Sequence, residues 1–199
     1  MRVVLSFIGA ALAVNVACAA DIAPVDVRAP IAVPVTTPID PFMGWEVRTG
    51  ALVHGVGNVE KGTYDVNGEL ILPKMFAPVG PWSYLVPRIH AGANFNTGGR
   101  TSAVYAGLLW TLPVLDRFFV EGFLDAAYHN GSLNGTLTQS ALGCDPLFHV
   151  GFNVGYRIDP HWSVMGTFDH LSNGSGIGLT NCGRNQGLNN YGLRLGYQF

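Results

Sequence analysis

The stretch "FHVGFNVGYRI", residues 148–158, alternates between apolar side chains and polar residues or glycine. Successive side chains of a β-strand point to opposite faces, so this pattern predicts a strand with one apolar and one polar face. The apolar positions are Phe148, Val150, Phe152, Val154 and Tyr156, and the others are His149, Gly151, Asn153, Gly155 and Arg157. The arrangement of such strands decides the fold class.

The same alternation recurs from Trp45 to the end of the chain, most regularly in "NNYGLRLGYQF", residues 189–199. Gly, Asn and Pro separate the alternating segments, and none of them has a helical period of useful length. The sequence therefore predicts an all-β protein. We predict eight strands, at residues 45–56, 63–73, 86–96, 102–112, 117–130, 147–158, 161–173 and 189–199.

Two all-β folds are compatible with these strands: a soluble sandwich, which exposes its polar faces, and a transmembrane barrel, which encloses them. The polar faces here mix glycines with opposite charges and contain hardly any lysine, which a water-facing surface would favour. Aromatic residues such as Trp45, Trp110 and Phe199 also lie at the ends of the segments, as interfacial girdles do. The sequence thus predicts an eight-stranded antiparallel transmembrane β-barrel of the bacterial outer membrane.

A barrel of eight strands has an interior that side chains fill. We therefore expect the interior arginines and acidic residues to pair with one another, and we do not expect a transport pore. His90, His129 and His149 lie on the interior faces and are predicted to be hydrogen-bonded there, with no metal site. The net charge of -2 and the scattered basic residues exclude a nucleic-acid-binding surface.

The N-terminal region differs in composition from the rest of the chain. Residues 1–20 combine Arg2, an apolar run and small residues, which predicts a secretory signal peptide. A lipoprotein site at Cys18 is the alternative interpretation, although Asn15 stands where such sites prefer an aliphatic residue. Residues 21–43 carry five prolines and are predicted to form a periplasmic tether, so the barrel would comprise residues 44–199.

Two cysteines remain after the predicted signal peptide, Cys144 and Cys182. With both termini periplasmic, the outer loops are residues 57–62, 97–101, 131–146 and 174–188, so both cysteines lie on the same side of the membrane. An even number of cysteines in an exported protein predicts a disulfide between them. We expect no metal and no cofactor.

The stretch "FDHLSN", residues 168–173, places a histidine and a serine on the lipid-facing side of the seventh strand. A histidine can accept the proton of a neighbouring serine hydroxyl and make its oxygen a nucleophile toward an ester. The alternative interpretation is that His170 and Ser172 are polar residues tolerated where the strand leaves the hydrocarbon.

The residues "HLSN" at 170–173, followed by "NQGLNNYGLRLGYQF" at 185–199, resemble the outer-membrane lipid A 3-O-deacylase family (PagL-type). The resemblance extends back through "RFFVEGFLDAAYHNG" and "WEVRTGALVHG" and covers Gly44 to Phe199. It implies an eight-stranded barrel that hydrolyses the ester-linked 3-hydroxyacyl chain at the 3-position of lipid A. The implied partners are lipopolysaccharide and the lipid of the outer membrane.

The resemblance also implies roles for individual residues: Ser172 as nucleophile, His170 as general base, and Asn173 with the Gly174 amide as oxyanion donors. Asn189 stands where the family often has the glutamate that orients the histidine. An asparagine can hydrogen-bond an imidazole, but it cannot stabilise an imidazolium by charge. Two hypotheses follow, a lipid A esterase or a non-catalytic adhesin or structural barrel with a degenerate site. Association of two barrels as a homodimer is left open.

Overall fold

The computed structural model describes residues 42–76 and 80–199. Each strand pairs antiparallel with the next, and the last pairs with the first, so the sheet closes into a barrel. The predicted fold is confirmed, and each predicted strand end lies within two residues of the observed one. The strands are β1 Glu46–His54, β2 Thr63–Ile71, β3 Arg88–Asn96, β4 Ala103–Pro113, β5 Phe118–His129, β6 Leu147–Arg157, β7 Trp162–Ser172 and β8 Leu188–Gln198.

The remaining regular structure consists of two short 3₁₀ turns. One is Gly80–Leu85, between β2 and β3, and the other is Ser175–Ile177, after β7. In the described parts of the chain, no helix is long and apolar enough to cross a membrane.

The barrel interior is filled by paired charges. Arg48 donates to both carboxylate oxygens of Glu121, at 2.7 and 2.9 Å. Arg194 donates to Asp169 at 2.9 Å, and all four side chains are buried. Because an unpaired buried charge is very costly, these pairs are what allows the polar faces to point inward. The expected pairing of interior arginines and acids is confirmed.

Phe42, which precedes the predicted barrel boundary at residue 44, contacts residues of the barrel interior. Phe42 is buried inside the end of the barrel that carries the C-terminus, where it packs edge-to-face on Phe119 with 5.1 Å between ring centroids. Met165 completes this small apolar cluster, and the Arg157 guanidinium lies 5.0 Å from the Phe42 ring centroid. The division between tether and barrel at residues 43 and 44 stays a prediction. The predicted signal peptide and the tether up to residue 41 lie outside the described residues.

The opposite end of the barrel, here called the outer end, carries four loops. The carboxylate of Glu60 joins three of these loops. Glu60 lies between β1 and β2, and it accepts hydrogen bonds from the Thr101 amide, between β3 and β4, at 2.9 Å and from the Ser140 amide, between β5 and β6, at 2.8 Å. Glu60 also accepts one from His54 at 3.1 Å. The outer loops therefore form one hydrogen-bonded unit. L1 comprises residues 55–62, L2 97–102, L3 130–146 and L4 173–187.

Candidate functional site

The candidate histidine and its predicted partner face each other across the pair formed by β7 and β8. His170 is in register with Asn189, and both side chains point away from the interior, where Asp169 and Asn190 are buried. Below them, Phe168 and Tyr191 are in register, with 4.9 Å between ring centroids. The polar pair thus lies on the outer surface at the outer end of the strands, above an aromatic layer.

A hydrogen bond defines the state of the imidazole. His170 Nδ1 lies 2.7 Å from Asn189 Oδ1, so Nδ1–H donates to the amide carbonyl. Whenever the ring is neutral, this hydrogen bond therefore places the free lone pair on Nε2, as a general base requires. The position predicted for Asn189 from its strand phase agrees with this geometry.

The nucleophile candidate Ser172 lies two residues further along β7, at the last residue of the strand. The two Cα atoms are therefore about 6.7 Å apart along one face. Both side chains are half-buried, and Phe148 of β6 is directly opposite Ser172. Within the described residues, no hydrogen bond joins Ser172 Oγ to His170. The structure places the two residues on one surface without a hydrogen bond between them.

Gly187, the last residue of L4, packs its backbone against the imidazole. A Cβ atom placed on Gly187 would lie 3.1 Å from His170 Cε1, and the residue has a φ of +60°. Only glycine adopts this conformation readily, and only glycine leaves the imidazole edge uncovered. Gly187 therefore limits the positions that the His170 ring can take.

L1 supports this arrangement from the other side. The Asn58 side-chain amide donates to the Gly187 carbonyl oxygen at 3.0 Å, and the Val56 amide donates to the Asn189 carbonyl oxygen at 2.8 Å. Sequence reasoning missed both residues, since nothing in "GVGNVEKG" at residues 55–62 indicates contact with a loop more than a hundred residues away. The backbone on both sides of Leu188 is thus held by L1.

Asn173, one of the two predicted oxyanion donors, contacts the outer loops in this structure. Its side-chain amide donates to the Leu142 carbonyl at 2.8 Å and to the Arg184 carbonyl at 2.9 Å, and its backbone amide donates to Asn185 Oδ1 at 3.2 Å. The first of these bonds joins L4 to L3 and the other two lie within L4, and the assignment of Asn173 as an oxyanion donor stays a prediction. Gly174, with a φ of +72°, stays a prediction.

The predicted disulfide is present and joins L3 to L4. Cys144 and Cys182 are bonded, with 5.4 Å between their Cα atoms. Ala141 and Gln186 reinforce the connection, because the Ala141 amide donates to the Gln186 side chain at 2.6 Å and the Gln186 amide donates to the Ala141 carbonyl at 3.0 Å. The residue next to Gly187 is thereby anchored to L3.

The other histidines proposed as interior residues are hydrogen-bonded. His90 contacts Asp125 at 2.7 Å, and His149 contacts the other oxygen of the same carboxylate at 2.7 Å. His129 contacts the Cys144 carbonyl oxygen at 3.0 Å. In residues 42–76 and 80–199 there is no group of three or more His, Cys, Asp or Glu side chains suited to hold a metal ion.

Comparison with known proteins agrees with the fold and adds the family. The crystal structure of the outer membrane enzyme PagL matches with a TM-score of 0.55 and 17% identity, over 77% of this chain and 99% of that chain. A de novo designed transmembrane β-barrel matches with a TM-score of 0.50 and 14% identity, over 79% of this chain and 96% of that chain. At these identities the likeness concerns the fold alone. No curated protein sequence matches this chain.

The family follows from a sequence model. The model described as lipid A 3-O-deacylase (PagL) matches residues 84–198, which is more than half of the chain and includes β3 to β8 with the His170, Ser172 and Asn189 positions. Together with the closed eight-stranded barrel, this match shows that the chain belongs to the lipid A 3-O-deacylase (PagL) family.

Proposed function

We propose that this protein hydrolyses the ester-linked 3-hydroxyacyl chain at the 3-position of lipid A, with Ser172 as nucleophile and His170 as general base. The observation that carries the proposal is the hydrogen bond from His170 Nδ1 to Asn189 Oδ1 at 2.7 Å on the lipid-facing surface. With Nδ1 bound to Asn189, it is Nε2 that can act as the base, two residues from a serine. Family membership supports the reaction class, and the bacterial outer membrane supplies the substrate in its outer leaflet.

In the proposed reaction, His170 Nε2 accepts the Ser172 proton while Oγ attacks the ester carbonyl carbon. The oxyanion of the tetrahedral intermediate accepts a hydrogen bond from the Gly174 amide. Collapse of the intermediate breaks the bond to the sugar oxygen, and His170 returns the proton to that oxygen. Water then attacks the acyl-enzyme with His170 again as base, which releases the 3-hydroxy fatty acid and regenerates Ser172.

Asn189 has a limited role in this scheme. Its carbonyl oxygen keeps the imidazole in the tautomer that the first step needs. It stabilises the imidazolium only through a dipole, whereas a carboxylate would do so through a full charge. The site is complete within one chain, so the proposal requires no homodimer, and no cofactor or metal enters the reaction.

The test is mass spectrometry of lipid A from a Gram-negative host that expresses the wild type, Ser172→Ala or Ser175→Ala. Ser175 is a matched control because it lies three residues away and donates its hydroxyl to the Gly183 carbonyl at 3.1 Å. We expect the wild type and Ser175→Ala to remove one 3-hydroxyacyl chain, and Ser172→Ala to leave lipid A intact. Intact lipid A with a correctly folded wild-type barrel would favour the non-catalytic alternative instead.

A further inference from the structure

The connection between β2 and β3 is an apolar segment at the periplasmic end of the barrel, of which the structure describes residues 72–76 and 80–87. This end also carries the C-terminus, and the other connections there are much shorter, residues 114–117 and 158–161. Outer-membrane barrels normally have short turns on this side. Joining two strands does not require a connection as long as the one between β2 and β3.

The segment exposes large apolar side chains. Trp82 and Leu85 are 67% and 64% exposed, and they lie three residues apart in the 3₁₀ turn Gly80–Leu85. A 3₁₀ helix has three residues per turn, so these two side chains lie on the same face. Met75 and Phe76, which precede the turn, are exposed as well. The turn therefore presents an apolar face that the described residues leave largely uncovered.

A hydrogen bond holds the turn against the lipid-facing side of the barrel. The indole N–H of Trp110 donates to the Leu85 carbonyl oxygen at 3.1 Å. Trp110 points outward from β4, because its neighbours Leu109 and Thr111 are buried in the interior. Leu112, the next outward residue of β4, is exposed. The apolar face of the turn is therefore continuous with the lipid-facing surface of β4 near the periplasmic end.

The only charged residue of the segment is turned away from this face. The Lys74 side chain is buried, and its ammonium group donates to the Ser83 carbonyl oxygen at 2.8 Å. The same group lies 5.7 Å from the centroid of the Tyr84 ring. No other residue between β2 and β3 is charged in the sequence. An apolar face without exposed charge fits the boundary of a bilayer, where a charge would be costly.

We propose that the turn Gly80–Leu85 is an interfacial anchor, which inserts Trp82 and Leu85 between the phospholipids of the inner leaflet of the outer membrane. An apolar face of this kind lies about 5–10 Å deep, at the boundary between headgroups and acyl chains. Tryptophan is favoured at this depth because its ring is amphipathic. The partner is phospholipid, since the face continues the lipid-facing surface of β4. The inference does not depend on the proposed reaction.

Fluorescence quenching tests the insertion, with the protein folded into phosphatidylcholine vesicles whose acyl chains are brominated near the glycerol end or near the methyl end. The emission of Trp82 is obtained as the difference between the wild type and Trp82→Phe. We expect brominated lipid to quench this emission, more strongly when the bromine is near the glycerol end, and acrylamide in the water to quench it little. Because Lys74 is turned away from the face, addition of anionic phosphatidylglycerol should leave the quenching unchanged.

Two matched controls are made in the Trp82→Phe background. Leu108→Trp, on the lipid-facing side of β4, should be quenched by brominated lipid, and Leu137→Trp, at a position of L3 that is 97% exposed, should be quenched by acrylamide. If the emission of Trp82 behaves like that of Leu137→Trp, the turn lies in water and the anchor assignment is overturned. Shielding of Trp82 from both quenchers would overturn it too, because protein and not lipid would then cover the side chain.

Discussion

Asn189 Oδ1 accepts a hydrogen bond from His170 Nδ1–H, with 2.7 Å between the nitrogen and the oxygen. The two residues lie on the neighbouring strands β8 and β7 and are 19 positions apart in the chain. An amide therefore occupies the position at which the resemblance implies a carboxylate, and its oxygen accepts a hydrogen bond from the ring. The amide is neutral and a carboxylate is negatively charged. The effect of this charge on the reaction rate can be measured by substitution.

We expect Asn189→Glu to increase kcat. A hydrogen bond to a charged group is stronger than a neutral one by about 1.4 kcal/mol, which corresponds to about tenfold in rate when the charge develops in the transition state. Asn189→Leu, which cannot accept the Nδ1 proton, should lower kcat. Single-turnover deacylation of lipid A checks both variants. If Asn189→Glu is slower than the wild type while Asn189→Leu is unchanged, the contact has no part in catalysis.

The second prediction concerns the backbone that packs against the imidazole. Gly187→Ala places a Cβ atom 3.1 Å from His170 Cε1 and should displace the ring, which lowers kcat by up to about a hundredfold for a shift of about 1 Å. Gly178→Ala is the matched control, because Gly178 also lies in L4 with a positive φ of +77° and has no neighbouring atom within 4 Å of the added Cβ. Equal losses in the two variants would indicate backbone strain alone.

Removal of the disulfide should destabilise the outer loops. The bond closes a segment with a sequence separation of 38 residues, for which loop-closure entropy corresponds to about 4 kcal/mol. The double variant Cys144→Ser, Cys182→Ser should therefore lose about that much free energy of unfolding in urea. Thiol reduction of the wild type should reproduce the loss and have no effect on the double variant. Equal unfolding midpoints for all samples would contradict the prediction.

The fourth prediction is a pH dependence of the contact between the loops. Burial alone would raise the pKa of Glu60, but hydrogen bonds from His54, Ser140 and Thr101 outweigh it and lower that pKa to about 2. A lowered folded-state pKa contributes stability that is fully present above the unfolded value of 4.5 and is lost as the pH falls toward about 2.

Hydrogen exchange of the Thr101 and Ser140 amides measures this effect, because both donate to the Glu60 carboxylate. Their protection, corrected for the intrinsic exchange rate, should be constant above pH 4.5 and should decrease below it. In Glu60→Ala, both amides should be unprotected at every pH. Constant protection of the wild type down to pH 2 would contradict the assigned role of Glu60.

The strands could be predicted from the sequence more completely than the contacts made by the loops and by Phe42. Strand ends, the paired interior charges and the lipid-facing position of His170 follow from a two-residue period, which is a local property of the chain. The contacts of the Asn173 side-chain amide with L3 and with the far end of L4 could not be predicted from the sequence, because they join residues that are distant along the chain. The burial of Phe42 could not be predicted from the neighbouring residues either.

The sequence by itself determined the number of strands, the face on which each side chain lies, and the presence of a serine, a histidine and an asparagine on one surface. Only the tertiary structure decided which imidazole nitrogen contacts Asn189, that Asn58 donates to the Gly187 carbonyl oxygen, and that Cys144 and Cys182 join L3 to L4. The alternation of apolar and polar residues along a strand shows only whether each side chain faces lipid or the interior. Contacts between loops depend on barrel closure, which brings together residues far apart in the chain.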